Sequence, residues 1–159
     1  MVESEQITIY KVKIIVDANI VFSGILNCNS KIGDLLINSK KRFQFISPEF
    51  LHYEIRAKYA KIQAISGLGL EQVMEAEYQV CKDIVFISEE QISARHLDEA
   101  FVLVNDIDEK DLLYVAYSRQ FRCKIWSGDK KLIKGLRAKG FNNLINTSEL
   151  FELRSKKVK

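Results

Sequence analysis

Cysteine, histidine and proline are scarce in this chain, and it has no long apolar run. The three cysteines, Cys28, Cys81 and Cys123, are odd in number, far apart and without a C-x-x-C pair. That argues against a disulfide framework and against a zinc knuckle. Cys28 and Cys123 sit in contexts that read as ordinary packing, and a reducing cytoplasm is the simplest home. The two histidines, His52 and His96, stand alone and read as surface or packing residues, so no histidine-rich metal site competes. No apolar stretch approaches the ~20 residues of a membrane span. Met1-Val2-Glu3-Ser4-Glu5 is acidic and polar, without the basic start of a secretory signal. No repeat, low-complexity segment or long linker divides the 159 residues. The expectation is one soluble, cytoplasmic domain over residues 1–153 with no membrane contact, followed by a flexible basic tail at 154–159.

Excess charge is also slight. A net charge of +3 permits contact with a polyanion without implying it. Its distribution is sharper, because Lys130, Lys131, Lys134, Arg137 and Lys139 cluster late, ahead of the basic end. Hydrophobic residues make up 47% of the chain, enough for a sizeable core.

The apolar pattern alternates between short β-branched runs and longer helical stripes. Strands are expected at Val12 to Val16, Phe43 to Ile46, Ile84 to Ile87, Cys123 to Trp126 and Asn143 to Asn146. Helices are expected at Ile20 to Leu26, Lys31 to Ser39, Pro48 to Ile62, Leu70 to Lys82, Glu89 to Val104, Asp108 to Arg119 and Asp129 to Lys139. Ser47-Pro48, which holds the chain's one proline, reads as a helix cap and first helical residue. Thr147 reads as the cap of a last short helix. Strands alternating with helices imply a three-layer α/β/α domain with a central parallel sheet of about five strands.

What is plentiful at informative places is carboxylate. Open parallel sheets bind ligands beyond the carboxyl ends of their strands. Asp17 directly follows the first strand, and Asp129 stands three residues after Trp126, so both fall at that edge. Asn19 and Ser127 are placed to orient water or ligands beside them. Helix capping is an alternative reading of each aspartate. Glu54 lies beside the apolar stripe Leu51, Ile55, Tyr59 and Ile62, three residues after Leu51, rather than on the outer face with Arg56 and Lys58. An inward carboxylate needs a partner, either a salt bridge or a bound cation. Asp108 and Asp111 share a helical face with Val115, and capping accounts for part of that acidic run. Two carboxylates about 4 Å apart repel by roughly 4 kcal/mol at an effective dielectric of 20. A group of them calls for a cation, and all-oxygen ligation suits Mg²⁺ or Mn²⁺.

These residues resemble the motifs of the PIN-domain ribonucleases. An acid ends the first strand in Ile15-Val16-Asp17-Ala18-Asn19, and Glu54 lies in a following helix. Asp111 opens a helix with Ala116 five residues on, and Ser127-Gly128-Asp129 follows a strand. The likeness runs from about Lys13 to Leu153, and Ile125 to Leu132 is most similar to the toxin-related, VapC-like proteins of bacteria and archaea. The resemblance implies that Asp17, Glu54, Asp111 and Asp129 hold one or two divalent ions that activate water for in-line hydrolysis of RNA, leaving a 5′-phosphate and a 3′-hydroxyl. Asp108 is an additional ligand candidate, Asn19 and Ser127 support the ligands, and Lys130 and Lys131 contact RNA phosphates. An antitoxin protein and a second copy of the chain, through Phe22, Tyr59 and Tyr78, are partners carried by the same analogy. The alternatives are a non-catalytic module that binds RNA or protein, and a phosphohydrolase of similar topology. The latter lacks a second aspartate where Asn19 stands.

Overall fold

The computed structural model describes residues 11–156. The acidic start Met1 to Glu5 and the basic end Lys157-Val158-Lys159 lie outside the described residues. Five strands form one sheet: β1 (Val12–Val16), β2 (Phe43–Pro48), β3 (Ile84–Ile87), β4 (Lys124–Trp126) and β5 (Leu144–Ile145). Their order is β3-β2-β1-β4-β5 and every pairing is parallel. The chain thus builds outward from β1 to one edge and then returns to its other side. The reversal falls between β1 and β4, where Ile14 faces Lys124 and Val16 faces Trp126. That is where open sheets of this kind leave a crevice.

Helices cover both faces, giving the expected three-layer α/β/α arrangement. After β1 come α1 (Ala18–Leu26) and α2 (Lys31–Asn38); after β2 come α3 (Leu51–Ala57), α4 (Tyr59–Ser66) and α5 (Leu70–Cys81). These pack on one another around α1. The opposite layer holds α7 (Leu112–Phe121), against β1, β2 and β4, with α6 (Ala94–Val104) behind it. Two last helices, α8 (Lys130–Ala138) and α9 (Thr147–Ser155), flank β5. Beneath them all lies a core led by Trp126, Tyr114, Tyr117, Phe45, Ile14 and Ile15, each 2% exposed or less. Each such side chain contributes about 1.5–3 kcal/mol relative to exposure.

Several boundaries differ from the sequence expectation for local physical reasons. Ser47 and Pro48 do not start a helix. They extend β2, opposite Phe86 and Ile87 of β3. The buried Ser47 hydroxyl donates to the Val16 carbonyl at 2.9 Å, so its hydrogen bond goes to β1 instead of a helix end. The expected long helix from Pro48 breaks at Lys58 into α3 and α4, and α4 ends on Gly67 at φ 73°, a conformation that costs glycine little. Glu89–Gln91 form a 3-10 turn, and the long helix expected there begins only after Ser93, whose side chain caps His96 N–H. Asn146, not Thr147, caps α9, exchanging bonds with Glu149. Thr147 Oγ1 instead accepts from Trp126 Nε1 at 3.1 Å.

Helix α9 reaches into the first residues of the expected basic tail. α9 continues through Ser155, and Arg154 donates to Asp34 Oδ2 at 2.6 Å while lying 4.9 Å from the Phe151 ring. The cysteines are free, and burial pushes the thiols of Cys81 and Cys123 up to about 12 and about 11, which keeps them neutral and unreactive. His52 stacks on Phe86 at 4.1 Å, and His96 Nδ1 lies 2.6 Å from Ser93 Oγ. Both histidines are used in packing and capping. Among the described residues no single helix is long and apolar enough to cross a membrane.

Candidate active site

Asp17 is one residue beyond β1, where the strand's direction must turn into α1. Its extended backbone and its Oδ1, which accepts from Ile20 N–H at 2.9 Å, make it the cap of that helix. The second oxygen is left for other work. At 3% exposure Asp17 is the deepest acid among the described residues. Burial pushes its carboxyl up to about 6, and the charges of Asp129 and Glu54 add to the rise. The Ser127 hydroxyl and the Ile20 N–H pull the other way by favouring the anion.

Asp129 reaches the same edge from β4. It caps α8 by accepting from Leu132 N–H at 3.1 Å, and its own N–H donates to Ser127 Oγ at 3.1 Å. Capping and site placement are therefore one and the same for both aspartates. Ser127 is fully buried between them. Asn19 is exposed in the first turn of α1, and its Oδ1 accepts from Lys58 Nζ at 3.4 Å.

Glu54 does turn inward. It is half-buried on α3, and the Tyr114 hydroxyl on α7 donates to its Oε1 at 2.6 Å. Burial raises its carboxyl above the ordinary glutamate range, against Tyr114, Lys58 and Lys110, which favour the anion. Tyr114 responds in kind, held far above the usual phenol range by burial and by the Glu54 charge.

Asp111 ends the 3-10 turn Glu109–Asp111 and stands at the start of α7 without capping it. Its carboxyl is pushed up to about 7, first by burial and then by the charges of Asp108, Asp17, Asp129 and Glu54. Those causes place all four expected ligands in one electrostatic neighbourhood. Asp108 itself is exposed, and its Oδ1 accepts from Lys110 N–H at 3.0 Å. It contributes field to Asp111 and Glu54 while one of its oxygens holds the turn.

A cation fits this donor set. Ion pairs among the described residues involve Glu77, Glu99, Asp106 and Asp34, and none includes Asp17, Glu54, Asp111 or Asp129. Their mutual repulsion is thus left uncompensated by any salt bridge. Among the described residues no three acidic, histidine or cysteine side chains already close into a metal cage. Mg²⁺ does not require one, because it keeps several waters and is held by one or two carboxylates directly.

Lys130 and Lys131 are exposed on the first turn of α8, next to Asp129. Phe22 is half-buried, Tyr78 is exposed, and the Tyr59 hydroxyl is committed to Glu77 within the chain. Three participants escaped the sequence reading: Tyr114, Lys58 and Lys110. Tyr114 had a legible signal, since it lies three residues after Asp111 on the same helical face. Lys58 had one too, four residues after Glu54 on the expected helix; Lys110 had none, because its nearness to Glu54 depends on the fold around the 3-10 turn.

The PIN domain matches this sequence over residues 15–149, a span that contains Asp17, Glu54, Asp108, Asp111 and Asp129. No curated protein is matched by the sequence. In three dimensions the chain is similar to the crystal structure of PAE2754 from Pyrobaculum aerophilum, with a TM-score of 0.64 over 91% of each chain. At 13% identity that likeness is one of fold. With its motif acids gathered at the switch point of a 3-2-1-4-5 sheet, and most of its length matched, the chain belongs to the PIN-domain family.

Proposed function

We propose that this PIN domain is a divalent-metal-dependent endoribonuclease. The observation that carries the reading is the convergence of Asp17, Glu54, Asp111 and Asp129, from four separate segments, into one field that no lysine or arginine neutralises by an ion pair. A fold alone does not fix an activity, so the reading rests on these side chains.

Asp17 and Asp129 would hold Mg²⁺ or Mn²⁺ between the ends of β1 and β4, with Glu54 completing the oxygen set from α3 and Asp111 from the start of α7 in the opposite layer. When bound, the ion supplies Lewis-acid stabilisation of a phosphodiester and a more acidic water. The protein supplies orientation. Ile20 N–H fixes one oxygen of Asp17, Ser127 steadies both Asp17 and Asp129, and Tyr114 fixes one oxygen of Glu54. Asp111 caps nothing, so its carboxylate is available to a ligand or to a proton. Lys58, Lys110, Lys130 and Lys131 offer positive charge to the phosphates of an RNA strand. In the toxin form of this reading, an antitoxin segment would occupy the acidic crevice and silence it; the likeness of Ile125 to Leu132 to VapC-like proteins supports that form.

The test compares wild type and Asp17→Asn on single-stranded RNA, with and without Mn²⁺ or Mg²⁺. Metal-dependent cleavage that disappears in Asp17→Asn, with 5′-phosphate products, is the expected result. Equal cleavage by both proteins would remove the assignment. Metal binding with no cleavage of any RNA or DNA would favour a non-catalytic module.

A further inference from the structure

Beside the acids lies a cavity that the hydrolytic reading leaves unused. It measures about 330 Å³ and is lined by Asn19, Phe22, Ser23, Ile32, Gly128 and Asp129 among others. That is near the lower end of small-ligand pockets, roughly 300–1,000 Å³. Its walls divide by chemistry. Phe22 and Ile32 are apolar, Asn19 and Ser23 carry hydrogen-bonding side chains, and Asp129 links it directly to the acid cluster. Lys58 Nζ and Lys61 Nζ lie over the Phe22 ring, 5.3 Å and 5.7 Å from its centroid, as cation–π partners.

A helix that served only the core would not need this arrangement. Ile20, Val21, Gly24 and Ile25 already give α1 its buried face. Phe22 and Ser23 lie on the side turned to the cavity, both half-buried. Gly128 keeps the opposite wall low, because a Cβ built there would meet no atom within 4 Å. An occupant should be flat and aromatic, with a polar edge and negative charge attached close by.

We infer that this cavity takes one unpaired base of a single-stranded oligonucleotide, with Phe22 as its stacking surface as Lys58 and Lys61 leave the ring for the flanking phosphates. The inference rests on the nuclease reading of the neighbouring acids for its substrate class, and it makes a separate claim about recognition. Aromatic stacking beside a basic lining is how single strands are held without sequence readout. A base inside a duplex is stacked on both faces and paired along its edge, so it would have to be extruded to enter. The cavity therefore selects single strands.

The test measures binding by fluorescence anisotropy in EDTA, and again with Mn²⁺ on Asp17→Asn. The probes are a labelled single-stranded RNA, its duplex, and a set of strands with one abasic ribose moved along the sequence. Wild type is expected to bind the single strand at least tenfold more tightly than the duplex. One abasic position should weaken binding about tenfold, the effect of losing one base–aromatic stack. Phe22→Ala should erase that position's effect. Gly128→Leu should lower binding of the intact strand to the abasic level, with an unchanged melting temperature. If Phe22→Ala does not fold, Gly128→Leu carries the test. Indifference to the abasic site at every position, or no measurable binding in either condition, overturns the proposal. If that happens while wild type still cleaves RNA in a metal- and Asp17-dependent way, only the cavity assignment falls. An abasic effect without any cleavage supports the cavity and removes the nuclease reading.

Discussion

The Tyr114 hydroxyl and Glu54 Oε1 meet at 2.6 Å, joining α7 to α3 across the carboxyl edge of the sheet. Tyr114 is 2% exposed, so this bond is made where water does not compete. Removing the hydroxyl in Tyr114→Phe should leave Glu54 without its donor and more easily protonated. Catalytic turnover should fall about tenfold, with the lower limb of its pH profile moved to higher pH. The same variant should lose about 1–2 kcal/mol of stability. An unchanged pH profile would show that Tyr114 only packs.

The acid cluster should weaken the metal-free protein as pH rises. Asp17 and Asp111 have folded-state carboxyls near 6 and 7, above the unfolded value of 3.8. Between about pH 4 and 7 the folded state therefore holds more protons than the unfolded one, and stability falls across that window. For Asp17 alone the loss is about 3 kcal/mol. Thermal unfolding in EDTA at pH 4.5 and pH 8 checks the sign. Asp17→Asn, which can still accept from Ile20 N–H, and Asp111→Asn, which gives up no cap, should both melt higher than wild type at pH 8.

Divalent cation should reverse that weakness. Adding Mn²⁺ at pH 8 should raise the melting temperature of wild type, and EDTA should return it. The rise should shrink in Asp17→Asn and in Asp111→Asn. An equal rise in all three would place the ion elsewhere.

Close packing at Gly33 yields a stability prediction far from the site. A Cβ there would stand 2.3 Å from the Cys28 carbonyl oxygen, a backbone atom that cannot turn aside. Gly33→Ala should cost about 1–3 kcal/mol, readable by urea denaturation, while Gly128→Ala should be neutral.

Much of this architecture is legible in local pattern, and what is hidden depends on long-range pairing. The β-branched run at Val12–Val16 and the acid after it can be read directly, because a buried parallel strand must be apolar and its end must turn. Ser47-Pro48 misleads for the converse reason. The pair has the chemistry of a helix start, but β3 lies alongside and its ladder wins. Asn146 and Thr147 are both competent caps, and only the approach of Trp126 Nε1 to Thr147 decides between them. At the site, Asp17 and Asp129 could be placed because strand ends are identifiable, and Glu54 because it sits beside an apolar helical stripe. Tyr114 and Lys110 could not be tied to Glu54 without the packing that brings the start of α7 to α3.

The strand order has a consequence for the timing of synthesis. Asp17 and Glu54 emerge early, but Asp129 is placed only when β4 settles against β1, on the side left vacant by β2 and β3. A nascent chain that stops short of β4 carries its first acids on a sheet with one open flank and no crevice. If the domain cuts RNA, it is harmless to the message and the ribosome that are making it until about four fifths of the 159 residues have been translated and β4 has docked.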